Sequence, residues 1–139
     1  MKQRSSTPLH EAARLGSDAI CKLILRGGAN VNAHDSLERT PLHHAVKHEQ
    51  LVVVRSLLSA RADLEARDIF QRTALHHAVR RNSVPLMKIL LDHGANPDVV
   101  NRYGLSPRQV VRRAGVPRIV AMFYRVPQGG RKDLAGGGG

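Results

Sequence analysis

The sequence has few of the residues from which catalytic and cofactor sites are usually built. Cys21 is the only cysteine in 139 residues, which excludes an internal disulfide framework and favours a reducing compartment. Aromatic residues make up 3 % of the chain and tryptophan is absent, so we expect an aliphatic core without a pocket for a cofactor. No nucleotide-binding glycine loop is present either, because Gly27 and Gly28 stand where a helix is expected to stop.

Acidic side chains and long apolar runs are also scarce. The 22 Lys and Arg residues outnumber the 11 Asp and Glu residues, giving a net charge of +11. This excess predicts affinity for anionic partners, without choosing between protein and nucleic acid. No apolar run approaches membrane-spanning length, and no signal-peptide stretch precedes the first motif. We therefore expect an intracellular monomer, in the cytoplasm or nucleus, with no membrane partner.

One motif recurs along the chain at a constant interval. It reads Thr-Pro-Leu-His-His-Ala-Val from Thr40, and near-copies begin at Thr7 and Thr73, with a worn copy at Ser106. Successive copies are 33 residues apart, which indicates a repeat architecture. The sequence therefore resembles the ankyrin-repeat family, whose signature is the Thr-Pro-Leu-His-x-Ala run at this period. The resemblance extends from Ser6 to about Tyr124.

The resemblance implies an all-α ankyrin-repeat solenoid, in which each repeat is a helix-turn-helix followed by a β-hairpin finger. We place the ankyrin-repeat domain at residues 1–125. Its predicted repeats are about 6–35, 36–68 and 69–101, followed by a capping repeat, 102–125. The glycine-rich residues 126–139 are expected to form a flexible tail.

Helix limits can be predicted from the aligned repeats. Thr40 suits an N-cap and Pro41 the first helical position, where no N–H is needed. The first helices should end in a left-handed residue, in the column Gly16, Glu49, Asn82 and Gly115. Three other residues stand where glycine would be favoured at positive φ: Arg61 after a second helix, and Glu38 and Gln71 in finger turns. We expect these middle junctions to be less stable than is usual for the family.

The second helices carry aligned apolar columns that predict the core. One column contains Ile20, Val53, Leu86 and Ile119, and spacings of four and five residues put two further columns on the same face. In the last repeat Arg108 and Arg112 replace apolar residues, which predicts charged side chains on an outer, capping face. The first repeat has no such substitution, so either another repeat precedes it or it frays.

Basic residues recur at one position of the first helices. The family resemblance implies that partners bind the concave side, formed by the finger tips and the exposed face of these helices. The predicted binding residues are Arg14, Lys47, Arg80 and Arg113, one per repeat, with Arg39 and Arg72 from the fingers and Arg67 and Arg81 nearby. Helices packed roughly 10 Å apart would make the column about 30 Å long. The alternative is an ordinary solvated helix face.

Apolar residues occupy the expected finger tips. Leu37, Phe70 and Tyr103 share one column, and Ile69 adds to the middle tip. Exposed apolar clusters of this kind favour a contact site, so we include these four residues in the predicted binding face. Alternatively, they fold back onto the neighbouring finger.

The eight histidines do not predict a metal or catalytic site. His10, His43 and His76 are the signature histidines, to which the family resemblance assigns structural hydrogen bonds. His44 and His77 are expected to point elsewhere, and no Cys/His set has zinc spacing. Cys21 lies in an apolar column, where a thiol is a poor nucleophile. We predict no metal, no cofactor and no enzymatic activity.

Charge and repeats together predict a non-catalytic protein–protein interaction module that binds an acidic partner segment or surface on its basic concave face. The alternative is nucleic-acid binding through the same strip, which ranks lower because base-stacking aromatics in a recognised pattern are missing. A third alternative is a degenerate fragment, or a fragment of a secreted pathogen or fungal effector, with no autonomous role.

Overall fold

The structure, a computed structural model, describes residues 6–125, which form four antiparallel helix pairs. The helices are α1 Pro8–Leu15, α2 Asp18–Arg26, α3 Pro41–Lys47, α4 Leu51–Ser59, α5 Ala74–Arg80, α6 Val84–Asp92, α7 Pro107–Ala114 and α8 Pro117–Tyr124. The first helices of the pairs pack side by side in the order α1, α3, α5, α7. The second helices follow in the order α2, α4, α6, α8. The result is a two-layered solenoid, and each predicted repeat holds one pair.

The first helices all begin with the same cap, as the aligned motif predicts. Thr7, Thr40, Thr73 and Ser106 each donate their backbone N–H to the side chain three residues later. That side chain is a histidine in the first three repeats and Gln109 in the last. The reciprocal bonds satisfy two donors that helix starts otherwise leave free, so they fix where each repeat begins.

Positive φ occurs at the predicted positions. The residues that end the first helices have φ 79° at Gly16, 52° at Glu49, 55° at Asn82 and 69° at Gly115. Arg61, Glu38 and Gln71 have φ of 68°, 60° and 61°. The backbone therefore keeps the family geometry even where a side chain makes it costly.

The core between the two layers is aliphatic. Val53, Leu86 and Ile119 are buried as predicted, but Ile20 of the same column is 50 % exposed. Its predicted burial is wrong because, among the described residues, only the α3 and α4 side of the first repeat is covered. Leu15 and Leu23 are exposed at the same end of the solenoid.

The fingers are turns instead of two-stranded hairpins, since no residue in 6–125 lies in a β-strand. In the first finger Asp35 Oδ1 accepts from the N–H groups of Leu37 and Arg39, both at 2.9 Å. Neighbouring fingers are joined by single backbone bonds, from Ile69 N–H to the Leu37 carbonyl and from Arg102 N–H to the Phe70 carbonyl. The predicted hairpin is thus reduced to a side-chain-stabilised turn.

The last repeat differs from its predicted form at Arg108. This side chain does not face outward, because Arg108 is 4 % exposed and ion-paired with Asp98. Arg112 is exposed as expected. The predicted tail, 126–139, lies outside the described residues. No helix of residues 6–125 has the length and apolar character needed to cross a membrane.

Candidate functional site

The four basic residues of the predicted column lie at equivalent places in the first-helix layer. Arg14, Lys47 and Arg80 are in the last turns of α1, α3 and α5, and Arg113 is in the last turn of α7. All four are exposed. Because these helices pack side by side, the column follows the solenoid from the first to the last repeat.

Ion pairing divides these cations into two groups. Arg14 is bound to Glu11 at 2.8 Å within its own helix, and Arg39 is bound to Asp35 at 3.0 Å. Lys47, Arg80 and Arg113, in contrast, have no carboxylate within 4.0 Å among residues 6–125. The unpaired cations are the ones most available to an external anion.

A cleft between the second and third repeats brings several of these cations together. Its volume is about 450 Å³, and it is lined by Lys47, His48, Arg72, His77, Arg80 and Arg81. Four of the predicted binding residues therefore share one concavity. The other predicted basic residues, Arg14, Arg39, Arg67 and Arg113, lie outside its lining. Of the cleft arginines, Arg81 is bound to Glu49 at 2.7 Å.

His77, which lines the cleft, is paired with a buried aspartate behind it. His77 Nε2 lies 2.9 Å from Asp68 Oδ2, and Asp68 also accepts from the N–H groups of Phe70 and Arg72. Burial alone would raise the pKa of Asp68, but the hydrogen bonds from His77 and Arg72 outweigh it and lower that pKa to about 2. Asp68 is therefore ionised at neutral pH and holds the ring of His77 in place.

The same pair occurs one repeat earlier. His44 Nε2 lies 2.9 Å from Asp35 Oδ2. Burial again opposes ionisation, but hydrogen bonds from His44 and the Arg39 and Leu37 amides hold the pKa of Asp35 well below its usual value. Sequence reasoning missed both pairs. The sequence did carry a signal, because in both the second and the third repeat an aspartate stands nine residues before the second histidine of the motif.

The signature histidines link each repeat to the next, which bears out their predicted structural role. His43 Nδ1 accepts from the Thr40 N–H at 3.0 Å, so its proton is on Nε2, which donates to the Arg72 carbonyl at 3.0 Å. His10 and His76 make the corresponding bonds to Arg39 and Leu105. Burial lowers the pKa of His43 to about 4, so this ring is neutral at pH 7.

Two groups of side chains come close enough to hold a metal ion. They are His10, Asp35 and His44, and His43, Asp68 and His77. In the first group, both ring nitrogens of His10 are already hydrogen-bonded, to Thr7 and to the Arg39 carbonyl. His43 is engaged in the same way in the second. A metal would have to displace the bonds that join adjacent repeats, so the donor sets suit hydrogen bonding better. The absence of a metal site stays a prediction.

The finger tips are exposed at three of the four predicted apolar residues. Leu37, Ile69 and Tyr103 are 39 %, 42 % and 64 % exposed. Phe70 is less exposed than these three and is half-buried. Its ring is partly covered by Arg72 and Arg102, whose guanidinium carbons lie 4.9 and 5.9 Å from the ring centre. The tips thus combine exposed apolar surface with one aromatic ring held between two cations.

Comparison with protein families agrees with this architecture. A family model for ankyrin repeats in three copies matches residues 1–68, and one for ankyrin repeats in many copies matches residues 61–111. The chain belongs to the ankyrin-repeat family. No curated protein matches it significantly. Ankyrin repeats are generally protein–protein interaction modules and are typically non-enzymatic.

The ankyrin-repeat array also has grooves in its second-helix layer. One of about 490 Å³ lies between α2 and α4, and another of about 480 Å³ lies between α6 and α8. Each contains acidic as well as basic side chains, with Asp18 in the first and Asp92 in the second. The cleft on the first-helix side is lined by no carboxylate residue, which makes it the more selective site for an anion.

Proposed function

We propose that this ankyrin-repeat protein is a non-catalytic interaction module whose basic concave face binds an acidic segment of a partner protein. The observation that carries the proposal is the cleft lined by Lys47, Arg72, Arg80 and Arg81. Lys47 and Arg80 come from the column predicted by sequence and have no carboxylate partner within residues 6–125. An acidic segment supplies the missing counter-charges.

The finger tips would provide the apolar part of the same interface. Leu37, Ile69 and Tyr103 are exposed on successive fingers, and Phe70 presents a ring already flanked by arginines. Exposed ion pairs contribute at most about 1 kcal/mol each. Specific binding therefore needs the apolar anchors as well, while the charges mainly raise the association rate. Arg14, Arg39, Arg67 and Arg113 would lie at the margins.

We further propose that the protein works as an intracellular monomer, in the cytoplasm or nucleus. The support is Cys21, which is a free and fully buried thiol. Burial raises its pKa, so it stays in the protonated, unreactive form. A chain with one buried thiol gains nothing from an oxidising compartment.

Binding of a labelled acidic peptide tests the function directly. The probe is a Glu-rich peptide with interspersed leucines, and the test variant is Lys47→Glu combined with Arg80→Glu. We expect its affinity to fall at least tenfold, because two attractive charges become repulsive. The control is Arg55→Glu combined with Arg118→Glu, which makes the same change in net charge at exposed sites on α4 and α8. Equal losses in both variants would refute a localised binding face.

Capture from cell lysate then distinguishes the two macromolecular partners. The intact chain and the Lys47→Glu/Arg80→Glu variant serve as baits, with and without nuclease. A protein that is retained by the intact chain, lost with the variant and insensitive to nuclease supports the proposal. If all charge-dependent material disappears after nuclease treatment, the strip binds nucleic acid instead.

A further inference from the structure

We propose that the cleft between the second and third repeats receives a phosphorylated side chain of the partner. This inference rests on the proposed function and specifies the anion in the acidic segment. It concerns the single cleft lined by Lys47, Arg72, Arg80 and Arg81, not the whole basic column.

The side chains around the cleft carry an excess of positive charge. Its lining supplies four cations, while the carboxylates bound to the lining are Glu49, paired with Arg81, and Asp68, paired with His77. Four positive and two negative charges leave a net charge of about +2. A phosphate monoester carries about −1.5 to −2 at pH 7, whereas a carboxylate carries −1. A phosphate is therefore attracted more strongly than a carboxylate, and it offers three acceptor oxygens to the lining instead of two.

The carboxylates already present cannot neutralise the remaining cations. Asp68 is buried, and its oxygens accept from His77 and from two backbone amides. Glu49 is held by Arg81 at 2.7 Å. Lys47 and Arg80 are left without a carboxylate within residues 6–125. These two side chains extend from the ends of α3 and α5, so the phosphate would bridge adjacent repeats.

The local field is positive despite the helix ends. The C-termini of α3 and α5 contribute about half a negative charge each, which reduces the net charge of the cleft from about +2 to about +1 and leaves it attractive to an anion. His48 at the cleft shows the result, since burial and the nearby charges of Lys47, Arg14 and Arg81 lower its pKa. His48 is therefore mainly neutral at pH 7 and can donate or accept a hydrogen bond without changing the balance.

The size and donors of the cleft also suit a phosphate group. A volume of about 450 Å³ corresponds to roughly 15 water molecules, which is space for a phosphate and part of its hydration shell. Arg72 and Arg80 supply planar pairs of N–H donors that match two phosphate oxygens each, whereas Arg81 is already bound to Glu49. Single-stranded nucleic acid would additionally need large stacking rings, and no Phe, Tyr or Trp side chain lines the cleft.

The test uses two small probes that share a backbone and differ in their anion. N-acetyl-phosphoserine amide and N-acetyl-glutamate amide are titrated into the full chain, and binding is followed by NMR shifts of the backbone amides. We expect the phosphoserine probe to bind at least tenfold more tightly, with the largest shifts at residues 47–49 and 80–82. Lys47→Gln combined with Arg80→Gln should remove this preference. Arg55→Gln combined with Arg118→Gln, which removes the same charge at exposed sites on α4 and α8 outside the cleft, should retain it.

Each other outcome overturns the inference in a distinguishable way. Equal affinities for the two probes, both lost in Lys47→Gln/Arg80→Gln, would refute the preference for phosphate but leave the acidic-partner proposal standing. No binding of either probe, together with no binding of the Glu-rich peptide, would remove both proposals. A single-stranded oligonucleotide that displaces the phosphoserine probe and binds the cleft more tightly at equal salt would assign the site to nucleic acid.

Discussion

Arg108 Nε lies 2.7 Å from Asp98 Oδ1, and Arg108 Nη2 lies 3.0 Å from Asp98 Oδ2, so the buried arginine makes a bidentate ion pair with a carboxylate of the preceding repeat. Arg108 Nη1 also donates to the Phe123 carbonyl at 2.6 Å. The guanidinium thus connects the segment after α6 with α7 and the end of α8. Arg108 stands where the earlier repeats have a leucine, and it makes polar contacts with Asp98 of the preceding repeat and with Phe123 of its own repeat.

Truncation of this arginine should destabilise the last repeat. Arg108→Ala leaves Asp98 without its bidentate partner and the Phe123 carbonyl without this donor. We expect the free energy of unfolding to fall by about 2–3 kcal/mol, less than for a fully buried pair because the Asp98 side chain is 24 % exposed. Urea denaturation followed by circular dichroism gives the value.

A double-mutant cycle separates the ion pair from lost packing. Asp98→Ala and the Arg108→Ala/Asp98→Ala double variant complete it. The double variant should be destabilised by at least 1 kcal/mol less than the sum of the single variants. Strict additivity would show that Arg108 acts through packing alone.

Relief of backbone strain should stabilise the junction after α4. Arg61 has φ 68°, a conformation that costs an L-residue about 1–2 kcal/mol, partly offset by the greater unfolded-state freedom of glycine. Arg61→Gly should therefore raise the free energy of unfolding by about 0.5–1 kcal/mol. Arg61→Ala, which keeps the Cβ atom and removes the same charge, is the control. A similar gain in both variants would attribute the effect to charge.

The 33-residue register predicted the backbone better than it predicted burial. It located Thr40 as a cap and Arg61 at positive φ, because these features depend on local conformation that recurs in every repeat. It misjudged Ile20 and Arg108, because burial depends on which neighbours are present. Ile20 lies at an end of the described array with one side uncovered, and Arg108 pairs with Asp98, which the leucines at the equivalent positions cannot do.

In the candidate site, too, the register predicted positions along the backbone better than it predicted side-chain contacts. The register placed Lys47 and Arg80 in one column, and both are exposed at equivalent helix ends. The register alone did not separate Arg14, which is bound to Glu11 three residues earlier in its helix, from Lys47, which has no carboxylate within 4.0 Å among residues 6–125. The cleft likewise requires Arg72 from a finger to meet residues of two helices.

The link between the third repeat and the cap depends on His76. Its Nδ1 accepts from the Thr73 N–H and its Nε2 donates to the Leu105 carbonyl, both at 3.0 Å. His76→Asn is too short to keep both bonds, so we expect a loss of about 2 kcal/mol in the free energy of unfolding. Amide hydrogen exchange should accelerate most in α7 and α8. His34→Asn, at an exposed histidine, should change neither quantity appreciably, and uniform acceleration in His76→Asn would contradict a local link.

Acidification should destabilise the array before Asp35 and Asp68 titrate. His43 has an ordinary pKa of 6.5 when unfolded, and burial lowers the folded value to about 4. Between these pH values the unfolded chain binds more protons, so stability is complete above pH 6.5 and falls towards pH 4. The slope from this group alone reaches about 1.4 kcal/mol per pH unit. Burial also lowers the pKa values of His44 and His76, which act in the same direction.

The aspartates give a second, lower window. Asp68 has a folded pKa of about 2, so its contribution is present above its ordinary value of 3.8 and is lost only as pH falls through about 2. Urea midpoints at pH 7.5, 6.0 and 5.0 therefore lie above the window of this aspartate, and Glu65, whose pKa is raised by burial, acts in the opposite direction to the histidines. We expect the midpoint to fall at each step and His43→Gln to show a shallower fall from a lower starting value. A flat midpoint across this range would mean that the inter-repeat histidines accept protons while folded, and the neutral hydrogen-bonded rings described above would be wrong.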